Sequence, residues 1–340
     1  MNPDQPWVGV LSGRICCRVC VASYLIRRSA QGIVTLWVAW SLVFVAYFVA
    51  PEDPAAELCR VGCPQVFLQR IRESLGLTHP LWQQYLDYFG RIIHGDLGYS
   101  YGSAAPVSSI VLRALPVDIS LALPAGMIWL SVGVVVGTVA ARHPNSKRAW
   151  TEMLFVFAGL SIPTFIFGIA LVYLFTGVLI HGLDLFPHPG DSWTPFLVNP
   201  LQWAHGLILP WITLAFVSSA TYVRLWRSSL RDVLGEDYIT AARARGISEW
   251  RITYSHALRA AVSPIMIQFG IDLATVLGGA IVTEVVFQLP GLGRTMVQAI
   301  LSQDRPVVQG AVLATTAFIV VANIAVDVLH TLIDPRIRVA

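Results

Sequence analysis

The run Thr240-Ala241-Ala242-Arg243-Ala244-Arg245-Gly246 carries the most specific spacing in this chain. Its chemistry is contact, not catalysis. Three alanines keep a helix thin enough for a partner surface to approach closely. Asp237 places negative charge in the first turn, where the helix dipole favours it, and Gly246 stands where a left-handed C′ residue ends the helix. Ser248 is expected to cap a second helix with Glu249 in its first turn, and Pro264 suits the first turn of the helix after that. Helix, glycine break, helix: the spacing predicts an elbow within residues 224–263. Just before it, Arg224, Arg227 and Arg231 share one helical face. For these three, anchoring to lipid phosphates is the simpler reading.

Reactive constellations are missing. Lys147 is the only lysine and follows Ser146, so the GxxxxGK[ST] phosphate loop is absent and any ATP chemistry must come from another polypeptide. There is no HExxH, no GxSxG and no pair of CxxC motifs. His94, His181 and His188 are scattered, and no metal-ligand set is expected. Cys16, Cys17 and Cys20 are read as small hydrophobes, while a short-loop disulfide between Cys59 and Cys63 is permitted but strained.

What must position the elbow is a membrane. The 340 residues are 55% hydrophobic and 13% charged, with a mean hydropathy of +0.64; a soluble domain carries about a quarter charged residues. Six segments, 32–50, 119–141, 153–180, 206–223, 265–287 and 310–333, are apolar enough to cross about 30 Å of hydrocarbon. Pro124, Pro163 and Pro210 interrupt them, which spanning helices tolerate. With the N-terminus placed inside, 16 of the 23 Lys and Arg residues fall on the cytoplasmic side, so both ends are read as cytoplasmic. The organisation follows: an N-terminal extension over 1–29, a retained first span over 30–50, an extracytoplasmic loop with short helices over 51–115, and a transmembrane core over 116–340. In that loop, Trp82 and its neighbouring tyrosines suit an interfacial belt.

Charges inside spans are expensive and single out candidates for a pore or gate. Asp272 lines an aqueous path or bonds a neighbouring helix. Glu284, near an outer end, is partly hydrated or part of an outer gate. Asp327, with Asn323 on its face, ties helices together. Pro290, Gly291 and Gly293 form a turn after the fifth span, plain or re-entrant.

The elbow resembles the EAA loop of ABC importer permeases, in which two alanines precede a glycine by a fixed interval. Thr240-Ala241-Ala242-x-x-x-Gly246 has that spacing, and His256-Ala257-Leu258 lies where the second half of the motif ends. Thr240 replaces the motif's acidic residue and Arg259 its proline, as in the peptide and nickel branch. Leu75-Gly76-Leu77, Pro80-Leu81-Trp82-x-x-Tyr85, His94-Gly95-Asp96-Leu97-Gly98, Glu284-x-x-Phe287-x-x-Pro290-Gly291-Leu292-Gly293 and Asp334-Pro335-Arg336-Ile337-Arg338 are similar to that branch's signatures. The long loop after the first span is similar to the B-type member of the permease pair. The resemblance implies an all-α, six-span, type I ABC importer permease. Its partners would be a second permease, two ABC ATPases that bind ATP and Mg, an extracytoplasmic binding protein and the lipid bilayer, with no nucleic acid, and no cofactor held by this chain. It places ATPase contact on Asp237, Thr240, Ala241, Ala242, Arg243, Ala244, Arg245, Gly246, His256 and Leu258. Peptides are the implied substrate, ahead of nickel or glutathione. The rival class, a secondary transporter or channel, lacks a visible inverted repeat.

Overall fold

A computed structural model describes residues 8–46, 64–74, 77–142, 147–177, 185–191, 193–278 and 280–333. They are overwhelmingly helical, with no β-strand among them. The helices are α1 (Val8–Phe44), α2 (Gln65–Ser74), α3 (Leu81–Ile93), α4 (Val107–Arg142), α5 (Lys147–Ser161), α6 (Thr164–Phe175), α7 (Pro200–Leu234), α8 (Asp237–Ala244), α9 (Glu249–Leu277), α10 (Ile281–Val286), α11 (Leu292–Leu301) and α12 (Arg305–Ile333). Cys59, Cys63, His181, Leu75-Gly76, the stretch 334–338 and the side chains of Cys16, Cys17 and Cys20 lie outside the described residues.

Among the described residues α4, α7, α9 and most of α12 are long and apolar enough to span a bilayer, and the pair α5–α6 makes a fifth if taken as one span. The expected third span is therefore not one straight helix. It bends by 100° between Ser161 and Thr164, because Pro163 supplies no N–H to the ladder and its predecessor avoids the helical region. The fifth is also broken. Its helix ends at Leu277, and residues 281–286 form a separate turn and a half. Pro264 lies inside α9 rather than at its start. The first expected span begins within α1, which runs unbroken across residue 29, and α4 likewise runs across residue 115.

The main seam joins α4 to α7. Trp129, Leu121, Tyr222, Trp226 and Leu230 are all buried within it. Without a hydrophobic force between helices in lipid, close packing by small residues holds such seams. Gly133 and Gly137 lie one turn apart on α4, and a Cβ on them would sit 2.4 Å from Tyr222 Cβ and 2.9 Å from the Val223 carbonyl oxygen. Two indoles seal the seam: Trp226 Nε1 donates to Thr138 Oγ1 at 2.7 Å and Trp211 Nε1 to the Ser120 carbonyl at 2.8 Å. Asn199 caps α7, its side chain accepting from Leu201 N and Gln202 N.

At one end α3 lies against α1, where Phe44 and Tyr88 are buried and Tyr85 shares a hydrogen bond with Ser41 at 2.9 Å. The expected belt residues therefore divide: the tyrosines pack against α1 and Trp82 stays exposed. The His94–Gly98 signature is a turn in which Gly95 and Gly98 take positive φ and Asp96 Oδ1 accepts from Gly98 N. It leads to a loop held by Asp304, a buried carboxylate that accepts from Ser100 Oγ, Tyr101 N and Gly102 N. Asp304→Ala would leave these donors without their acceptor, at a cost of about 2–3 kcal/mol. Thermal unfolding in detergent should fall by about 5 °C; an unchanged midpoint would show that water satisfies the loop. At the other end Asp327 does tie helices, its partner being Arg28 on α1.

Candidate functional site

The elbow forms as the spacing predicts, and the reason is local. Arg245 is the C-cap of α8 and Gly246 takes φ +76°. Gly246 N donates to the Arg243 carbonyl at 2.9 Å and Ile247 N to the Ala242 carbonyl at 3.3 Å. This is the full Schellman pair, which satisfies carbonyls that the helix end would orphan. A Cβ on Gly246 would meet nothing within 4 Å, so the glycine is required by backbone conformation, not by space. Arg243 Nε donates to Glu249 Oε1 at 2.7 Å across the break. Both side chains are exposed, so this pair adds well under about 1 kcal/mol and mainly fixes the angle.

One residue roots the elbow. Ile239 is fully buried, in a cluster with Leu230, Ile252 and Ala257 that is continuous with the α4–α7 core. Burying it contributes roughly 1.5–3 kcal/mol. Ala242, Ile247 and Leu258 pack against the same cluster, so Ala242 faces inward while Thr240, Ala241, Ala244, Arg245 and His256 are exposed. Ser248 stands at the N-cap of α9 but makes no side-chain cap bond. Beyond it the second helix does not end: residues Ile252–Ala257 widen into a π-helical turn and run on into the span. The exposed flank carries Tyr238, Trp250 and Tyr254, the last two with rings 5.0 Å apart. Large aromatics left uncovered in this way mark a contact surface.

A second constellation lies at the opposite end of α4. Glu284 on α10 and Asp118 on α4 are both buried, Glu284 completely, so of the two readings of Glu284, partly hydrated or part of an outer gate, the burial disfavours the first. Both carboxyls bind the segment 290–294: Leu292 N donates to Asp118 Oδ1 at 3.2 Å and Arg294 N to Glu284 Oε2 at 2.9 Å. A Cβ on Gly291 would fall 2.4 Å from Glu284 Oε2 and 2.5 Å from Asp118 Oδ1, and one on Gly293 2.8 Å from Ile281 Cα. Pro290, Gly291 and Gly293 thus form more than a plain turn. They start α11, with Gly291 at its N-cap, and wrap it onto two acids.

Residues 133–339 match the family model described as "binding-protein-dependent transport system inner membrane component", and residues 21–122 match the model for its N-terminal part. The chain belongs to this family. A putative peptide transport system permease protein of Brucella abortus is 37% identical over 318 residues, covering 94% of this chain and 99% of the relative. The oligopeptide transport system permease protein AppB of Bacillus subtilis is 34% identical over 319 residues, covering 94% and 100%. The dipeptide transport system permease protein DppB of Escherichia coli is 36% identical over 339 residues, covering 93% and 98%.

In this inner-membrane component the third candidate, Asp272, sits inside α9 and is held from two sides. Tyr222 Oη donates to its Oδ2 at 2.8 Å and Gln268 Nε2 to its Oδ1 at 2.8 Å. The bond to a neighbouring helix is therefore made. The elbow, the clamped loop and Asp272 are three separate places, strung along α4, α7 and α9. Sequence reading missed three contributors: Asp118, one residue outside the apolar window; Gly133 with Gly137, whose four-residue spacing in an apolar run is itself a helix-packing signal; and Asp304.

Proposed function

We propose that this chain is one of two permease halves of an ATP-driven importer of peptides, built as a six-span type I ABC permease with both termini cytoplasmic. The observation that carries the reading is the shape of the elbow. A short helix is rooted in the transmembrane core by Ile239 and offers Tyr238, Ala241 and Ala244 outward, with Trp250 exposed beside it at the start of α9, in a chain of the binding-protein-dependent transport family. Its relatives' names, peptide, dipeptide and oligopeptide permease, favour peptides over nickel or glutathione.

In this mechanism ATP and Mg bind to two partner ATPases. This chain holds no cofactor and catalyses no reaction. When the ATPases close, they carry α8 with them, and the Schellman turn and the Arg243–Glu249 pair transmit its displacement to α9 and to the α7 core. Contact energy must differ between inward- and outward-open states, or docking could not bias them. A second permease completes the pore, and an extracytoplasmic binding protein delivers the peptide. Asp272, Glu284 and the 290–293 loop are its candidate path and gate residues.

The test uses the assembled complex. Ala241→Cys, exposed on α8, should crosslink to a copurifying ATPase, with a yield that changes when ATP is added. Uptake by the purified chain alone, or a crosslink found only to lipid, would end the reading in favour of an ATPase-independent carrier.

A further inference from the structure

At the root of the elbow lies a cavity of about 550 Å³ that the coupling role does not require. Four helices supply its wall: Arg142 from the last turn of α4, Arg231 from the last turn of α7, Arg243 from α8 and Glu249 from the start of α9, together with the apolar Ala141 and Leu234. Three guanidinium groups thus face one carboxylate. Arg243 is already engaged by it, at 2.7 Å through Nε, and also reaches the Leu234 carbonyl at 3.4 Å. The guanidinium groups of Arg142 and Arg231 make no hydrogen bond or ion pair with any described residue. Two fixed positive charges therefore converge on open space without a counter-ion of their own.

Such a set selects an anion, and guanidinium forks match the oxygens of a phosphate two at a time. Position then chooses among phosphates. With this end of the bundle at the bilayer surface, the cavity would open at the ends of α4 and α7, at headgroup depth, and it is far larger than one inorganic phosphate needs. Ala141 and Leu234 give it an apolar side that suits the start of a lipid's acyl chains rather than a free ion. Basic pockets between spanning helices at this depth hold anionic headgroups. We infer that this cavity is a binding site for the phosphate headgroup of an anionic phospholipid. A lipid seated there would touch α4, α7 and α8 at once and stiffen the elbow against the core.

The inference rests on reading this end of the bundle as lying at the bilayer surface, but it does not depend on peptide transport. Its test therefore reads lipid, not uptake. The full importer complex is purified in detergent and titrated with phosphatidylglycerol, phosphatidylcholine or inorganic phosphate, and bound lipid is counted by native mass spectrometry. Phosphatidylglycerol should be retained over phosphatidylcholine, and Arg142→Gln with Arg231→Gln should lower that retention about tenfold, the loss of one or two charged hydrogen bonds. Arg251→Gln with Arg259→Gln removes the same charge at exposed positions outside the cavity and should change little. Should the glutamine pair fail to assemble, Arg142→Lys with Arg231→Lys keeps the charge but loses the fork, and should still weaken binding severalfold. Equal loss in the cavity and control variants would reduce the effect to bulk charge and overturn the site. So would displacement of the lipid by inorganic phosphate at equal concentration, which would make the ligand a free ion. Lipid retained only after the ATPases are stripped from the complex would assign the arginines to an acidic segment of that partner instead.

Discussion

Replacing Gly246 by valine is expected to cut ATP-dependent uptake by more than about tenfold while leaving the amount of protein in the membrane unchanged. The cause is conformational. At φ +76° a β-branched residue costs roughly 1–3 kcal/mol, and about 1.4 kcal/mol is already a factor of ten in an equilibrium. Nothing stands within 4 Å of the site, so crowding cannot be the reason. The chain relieves the strain by giving up the two Schellman bonds, and α8 then swings on a loose joint. Graded substitutions separate this account from others. Asparagine tolerates the left-handed region and should keep most of the uptake; alanine should fall between. Stimulation of the partner ATPases should follow the same order. Valine with full uptake would mean that α8 need not be rigid, and asparagine as damaging as valine would mean that glycine is needed for contact with the partner.

Gly246 also shows what a sequence reveals and why. A left-handed cap is written in one residue and its immediate neighbours, so the elbow was legible from alanine and glycine spacing alone. The membrane class was legible for a similar reason, since hydropathy over a window records the solvent. Direction is not recorded there. The apolar run 153–180 looks continuous, yet the chain turns by 100° at Pro163, because neighbours decide whether a proline kinks a helix or reverses it. The same limit explains Pro264. A π turn over Ile252–Ala257 carries the helix into the span and leaves the proline inside. Nor does a window reveal partners distant in the chain. Asp118 and Glu284 come from helices far apart in the sequence, yet their carboxyls meet each other beside Gly291. Arg28 and Asp327, from the first and last helices, pair across almost the whole chain.

The largest loss of stability is expected where α4 meets α7. Gly133→Ala would put a methyl carbon 2.4 Å from Tyr222 Cβ, with backbone carbon of Tyr222 at 3.2 Å. Carbon atoms pack at about 3.5–4.0 Å, so the two helices must separate by roughly 1 Å. Neither flexible side-chain ends nor loops are available to absorb this, because the contact lies near the backbone on both sides. Separation also pulls Trp226 Nε1 from Thr138 Oγ1 and disturbs the Tyr222–Asp272 bond. Overpacking costs about 1–3 kcal/mol, and the stretched hydrogen bonds add about 1 kcal/mol each. Gly90→Ala is the matching control: the same atom is added to helix α3 at a position with nothing within 4 Å, and there the helix gains about 0.5–1 kcal/mol. One chemical change should therefore move unfolding in opposite directions, sharply down at Gly133 and slightly up at Gly90. Tryptophan fluorescence during heating in detergent reads both, since Trp129 and Trp226 are buried in the seam. Equal shifts for the two variants would mean that α4 and α7 are not pressed together at Gly133, and the rigid core against which the elbow works would be lost with that contact.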